Sequence, residues 1–235
     1  MKRLALIFMA AAALCAVAQT QKHSVKVGDF TQLRVVDNIN VVYHQCNADS
    51  TGTAVFEAAR EMVPVVMFNN NSKGKLSIQV DPDRQTEQNL PVVHVYSQYL
   101  MEAENAGDST LTIISIAPTP EFKLRLTDNG FVDAKNINCT TANVSIYTGN
   151  GTLMVEGSCT KANIKNVGVG QIQADRLIAK NVSCNVAGTG HVGCYVDGGK
   201  LDVKGMGTGK VYYRGKPSEV KVFKLGGVEA IPLDE

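Results

Sequence analysis

The sequence predicts an all-β protein, a right-handed parallel β-helix or β-solenoid with coils of about 20 residues. Three observations predict it. Glycine-rich turns recur at a near-constant period, apolar residues alternate on both sides of each turn, and helical patterning is scarce.

The turns come first. Asp128-Asn129-Gly130, Gly149-Asn150-Gly151, Gly168-Val169-Gly170, Gly188-Thr189-Gly190 and Gly207-Thr208-Gly209 end 21, 19, 20 and 19 residues apart, and Gly226-Gly227 follows 18 later. Two positions after each turn stand Val132, Leu153, Ile172, Val192 and Val211; four after stand Ala134, Val155, Ala174, Cys194 and Tyr213. A second alternating strand precedes each turn, from Leu124/Leu126 and Val144/Ile146 to Leu201/Val203 and Val220/Val222. Period two on both sides of a turn means strands with one face inward. The repeat is too short for a propeller blade of about 40 residues and lacks the leucine-rich and calcium-binding spacings. A solenoid remains, with about five coils expected over residues 122–230 and its glycines at corners needing φ > 0 or close backbone approach. At the first turn Asn129 is expected to take the left-handed conformation.

The preceding region, about 24–116, holds strand-like stretches such as Leu33-Arg34-Val35-Val36, Lys75–Val80 and Val92–Tyr96 between Gly, Asn, Asp and Pro. It is expected to continue the stack as irregular strands. Phe56–Met62 carries helix formers but is halted by Pro64, which leaves strand and turn as the other reading.

The N-terminus reads as a secretory signal peptide over residues 1–18. Lys2 and Arg3 precede an apolar run from Leu4 to Val17, and Ala16-Val17-Ala18 offers a small-x-small exit. The run is too short for a spanning helix of about 20 residues. Leu14 before Cys15 disfavours lipidation there. A single domain over 19–235 is then expected outside the cytoplasm: periplasmic, at the cell surface or secreted, with no transmembrane segment in the mature chain.

Without Lys2 and Arg3 the chain carries 21 basic and 22 acidic side chains with no basic run, so a nucleic-acid partner is not expected. Five cysteines remain: Cys46, Cys139, Cys159, Cys184 and Cys194. Cys139 and Cys159, one coil apart, are a candidate disulfide. No CxxC, HxH, HExxH or GxSxG occurs, and no cofactor, metal or catalytic residue is expected.

Certain segments resemble a known family. Phe30-x-x-Leu33-x-Val35, Asn38-Ile39-Asn40-Val41 and the closing Gly209-Lys210-Val211-Tyr212-Tyr213-Arg214-Gly215-Lys216-Pro217 look like the head GIN domain family (putative auto-transporter adhesin). Asn38 stands where the naming motif has Gly. The resemblance spans about residues 25–230 and implies an exported β-helical protein of Bacteroidetes-type bacteria, with no catalytic residues to carry over.

The expected function is therefore a non-catalytic, adhesin-like module binding a glycan or an envelope or host protein, with self-association open. A structural envelope scaffold is one alternative and a polysaccharide-active enzyme on a β-helix face another. For the enzyme, Glu156 and Asp175 are the carboxylate pair expected on adjacent coils. For binding, His191, Tyr195, Tyr212 and Arg214 are expected as one outward patch, because aromatic faces beside hydrogen-bond donors suit sugars and proteins.

Overall fold

The computed structural model describes residues 20–233; the predicted leader lies outside the described residues. The strands are β1 (Gln21–Lys26), β2 (Gln32–Val36), β3 (Val41–Gln45), β4 (Thr53–Ala58), β5 (Val66–Asn70), β6 (Lys75–Val80), β7 (Val93–Ser97), β8 (Glu102–Ala106) and β9 (Thr110–Ile113). There follow β10 (Thr119–Leu126), β11 (Phe131–Ile146), β12 (Thr152–Gly168), β13 (Gln171–Gly188), β14 (His191–Val196), β15 (Lys200–Gly207), β16 (Lys210–Gly215), β17 (Glu219–Gly226) and β18 (Glu229–Pro232). They build a β-solenoid of about seven turns with about 20 residues between coils. Phe56–Ala58 end β4, and Arg60–Val65 form a short 3-10 helix.

Two parallel ladders run the length of the stack. The front ladder is β6, β2, β8 and β10, then the second halves of β11, β12 and β13, then β15 and β17. The back ladder is β7, β3 and β9, then the first halves of β11 to β13, then β14, β16 and β18. The inward column Val132, Leu153, Ile172, Val192 and Val211 is wholly enclosed, each residue 0% exposed. Like side chains stack at the strand spacing of about 4.8 Å, and the hydrophobic effect drives this closed interior.

The glycines follow from that spacing. At Gly190 a Cβ would lie 2.4 Å from the carbonyl oxygen of Gly170, one coil away, and 2.7 Å from Asn166 Nδ2. Asn166 is enclosed at the turn and donates to the carbonyls of Gly170 (2.8 Å) and His191 (3.2 Å). At the turn's first position Gly188 has φ +123°, a conformation an L side chain rarely adopts. In the first turn Asp128 (φ 84°), not Asn129, takes this role, and near the start Asp37 (φ 65°) is left-handed. The left-handed residue is thus the one that begins the turn. Asx side chains tolerate this conformation better than most; Asp37 Oδ2 is further held by the Val80 N–H of another strand, which donates to it at 3.1 Å.

The N-terminal strands join the stack out of chain order. β2 lies between β6 and β8, and β3 between β7 and β9. β4 then runs antiparallel to β7, β1 to β4, and β5 to β6, covering the ladders' first edges. The other end differs: among the described residues β17 pairs only with β15 and β18 only with β16.

Candidate functional site

The front ladder presents its outward side chains in straight columns, because in-register parallel strands repeat each direction coil after coil. In one column Asn143 and Asn163 are register partners. Asn163 Nδ2 donates to Asn143 Oδ1 at 2.8 Å, and Asn143 Nδ2 donates to Glu121 Oε1 at 2.7 Å. In the neighbouring columns Lys165 Nζ sits 5.0 Å from the centroid of the Tyr147 ring, a cation–π contact. With Asn185 these side chains line an open groove of about 350 Å³. Amides, one aromatic face, the amines of Lys123 and Lys165 and the Arg125 guanidinium offer hydrogen bonds and stacking. The lining holds no cysteine or histidine.

The predicted aromatic patch lies on the back ladder. Tyr195 is the register partner of Arg214, and Gly193 that of Tyr212. His191 meets Tyr212 edge to face, their centroids 6.1 Å apart at 74°. His191 and Arg214 are exposed, Tyr195 and Tyr212 half-buried. All four residues gather on the last coils.

Glu156 and Asp175 lie on adjacent coils as expected but are not register partners. A register shift between Met154 and Glu156 places Glu156 opposite Arg176 rather than Asp175, and Arg176 Nη1 approaches Glu156 Oε2 at 3.8 Å. An irregularity at the corner adds a residue to one strand, which a fixed count from the turn cannot register. Glu156, Asp175 and Asp133 still border one small hollow of about 120 Å³. Among the described residues no group of three or more His, Cys, Asp or Glu could hold a metal ion.

Cys139 and Cys159 are register partners on adjacent coils, and both are free thiols. Burial pushes the Cys139 thiol up to about 12, with Cys159 adding to it. Burial likewise raises Cys159 to about 11. Cys184 and Cys194, on the inward sides of the two ladders, are enclosed and interact, which raises Cys184 well above its ordinary value.

One cluster escaped the sequence reading. His44 Nε2 and His94 Nδ1 lie 3.0 Å apart, and His44 stacks on Tyr96 at 4.8 Å. Burial, then the neighbouring His94, lowers the His44 pKa. Both histidines hold alternate, outward positions in β3 and β7, but only tertiary pairing of strands 50 residues apart makes them neighbours.

The described residues thus place the chain in the class of β-solenoid proteins. The chain belongs to the family described as “Putative auto-transporter adhesin, head GIN domain”, whose model matches residues 29–217. No curated protein sequence matches it. The solved structures similar in fold include the following three. A putative adhesin from Bacteroides fragilis has a TM-score of 0.79 at 20% identity, covering 92% of this chain and 97% of that one. A putative lipid binding protein from Parabacteroides distasonis has a TM-score of 0.70 at 17% identity, covering 93% and 98%. A putative adhesin from Parabacteroides merdae has a TM-score of 0.67 at 16% identity, covering 93% and 98%. These descriptions speak of adhesins and lipid binding rather than enzymes. No helix among the described residues is long and apolar enough to cross a membrane.

Proposed function

We propose that the chain is an exported, non-catalytic adhesin-like module that holds a glycan in the front groove, at the cell surface or in the periplasm. One observation carries this reading: the Glu121–Asn143–Asn163 hydrogen-bonded column stands beside the Lys165–Tyr147 pair in one open groove. Side-chain amides match vicinal hydroxyls, and an aromatic face matches the C–H face of a sugar ring. The ladder holds the amides in place before any ligand arrives, which lowers the ordering cost of binding. Family membership supports the adhesin-like role.

The back patch gives a second reading, favoured by the edge-to-face His191–Tyr212 pair beside Tyr195 and Arg214. It suits an envelope or host protein, since Tyr and Arg are enriched at the centres of such interfaces.

The test is a glycan array probed with the chain from residue 20 onward, alongside Asn163→Ala, Tyr147→Ala and Tyr212→Ala, each checked for fold by circular dichroism. The groove reading expects glycan signals that Asn163→Ala and Tyr147→Ala lower at least tenfold and Tyr212→Ala leaves alone. Signals lost only in Tyr212→Ala move the site to the back patch. Glycan cleavage abolished by Glu156→Gln would overturn the non-enzyme reading.

A further inference from the structure

We infer that the free C-terminal end of the front ladder docks onto an anionic lipid bilayer. The inference rests on a second surface that adjoins the groove, with Lys165 and Asn185 bordering both.

The outward side chains of the last front coils change character. Met206 is 61% exposed, Phe223 67% and Leu225 64%, the three highest values among the large hydrophobics of the described residues. Met206 and Leu225 are register partners, and Met206 and Phe223 border a shallow, mostly apolar hollow of about 260 Å³. The apolar surface also passes around the edge: Val220 and Val222 occupy the inward positions of β17 yet are 39% and 43% exposed, because among the described residues no coil covers them. Water-facing apolar side chains this large, clustered rather than scattered, mark an interaction surface.

The charge around the patch selects the occupant. Lys204 and Lys224 form no ion pair among the described residues, while Lys200 and Lys221 both reach the single carboxylate of Glu219, each at 2.9 Å. Lys200, Lys204 and Lys221 share the outward side with Asp202 and Glu219. Lys224, the register partner of Gly205, stands on the other side of β17 with Val220 and Val222, so the outer face and its open edge together are net positive. A second copy docked here would set those lysines against their own equivalents. An anionic bilayer answers both features at once. Its headgroups take the ammonium groups at the ends of long stems, and its acyl region takes Phe223, Leu225 and Met206. β17 carries both the outer face and the open edge, so a bilayer that meets β17 reaches both. The lysines on β17 also discourage strand addition at the bare edge, as edge charges do elsewhere.

The test is flotation with vesicles of pure phosphatidylcholine and of phosphatidylcholine with about one-third phosphatidylglycerol. It uses the chain from residue 20 onward, because the apolar run of residues 4–17 would itself partition into lipid. Binding is expected on the anionic vesicles and at least tenfold weaker on the neutral ones. Phe223→Asp with Leu225→Asp should remove it. Lys204→Gln and Lys224→Gln should each weaken it about fivefold, near the usual effect of one basic residue at an anionic surface. All these positions are exposed, and an unchanged thermal midpoint verifies the fold. Asn163→Ala, outside the apolar hollow, should leave vesicle binding intact. Leu225→Asp alone, which borders neither the hollow nor the groove, should weaken vesicle binding and leave glycan binding intact, so the two readings fail separately. No binding to anionic vesicles, or equal binding by the aspartate variant, overturns the inference. So does a dimer in solution that the aspartate variant dissociates while vesicles bind neither form.

Discussion

Replacing Gly190 with Ala tests the close stacking of turns on which the solenoid depends. Neither Gly190 nor Gly193 has a positive φ, so only space decides the effect of an added methyl at either position. At Gly190 that methyl meets the Gly170 carbonyl oxygen at 2.4 Å and Asn166 Nδ2 at 2.7 Å. Relief requires the coils to part or Asn166 to swing away from its two carbonyl partners. Overpacking costs about 1–3 kcal/mol, and weakening two enclosed hydrogen bonds adds about 1–2 kcal/mol. A loss of about 3 kcal/mol lowers the midpoint by about 6–12 °C in a chain of this size. At Gly193 the nearest atoms, Asp175 Cβ and Oδ1, lie at 3.7 Å, an ordinary contact. Ala there should hold or raise stability by about 0.4–1 kcal/mol, because it restricts the unfolded chain. Thermal melting followed by far-UV circular dichroism suits a chain without Trp. A Gly190→Ala midpoint within about 1 °C of the parent, or equal losses at both positions, would refute this account of the turns.

Three further outcomes follow from the packing and the titrating groups. Ile172→Ala, in the enclosed column, should cost about 2–5 kcal/mol, whereas Val222→Ala, 43% exposed on the last coil, should cost under about 1 kcal/mol; urea midpoints compare them. His44 has a lowered folded pKa, so the unfolded chain takes up its proton first. Its contribution to stability is complete above the unfolded value of about 6.5 and is lost as pH falls below it. His44→Phe, which keeps a ring on Tyr96, should flatten the dependence of the urea midpoint on pH between 7 and 5. Cys139 and Cys159, with thiols raised to about 12 and about 11, should resist alkylation at pH 8 in the native chain and react once it is unfolded. Two thiols missing from the unfolded, unreduced chain and mapped to this pair would instead show a bridge.

The coils were legible because each repeats a local pattern. A turn glycine, then apolar residues at fixed offsets, identifies the inward side of a strand without knowledge of its partner, and Val132 through Val211 are enclosed accordingly. The same logic failed at the corners. A register shift moved Glu156 from Asp175 to Arg176, and a period cannot encode an irregularity. The order of the first coils was hidden for another reason. Val41 reads as a strand residue from its neighbours, but nothing local tells that it lies between Val93 and Leu111. At the first turn the left-handed residue is Asp128 rather than the expected Asn129, since Asn and Asp share the tolerance for that conformation. The front groove was overlooked because asparagines outside an apolar column look like ordinary solvated residues until stacking joins Asn143 to Asn163.

Hydrogen–deuterium exchange with and without a ligand from the array tests the groove most directly. The account predicts that ligand slows exchange in segments 141–147, 161–167 and 181–187, which carry Asn143, Tyr147, Asn163, Lys165 and Asn185 across three successive coils, while 191–214 is unchanged. Protection confined to 191–214, or absent from all three front segments, would contradict it.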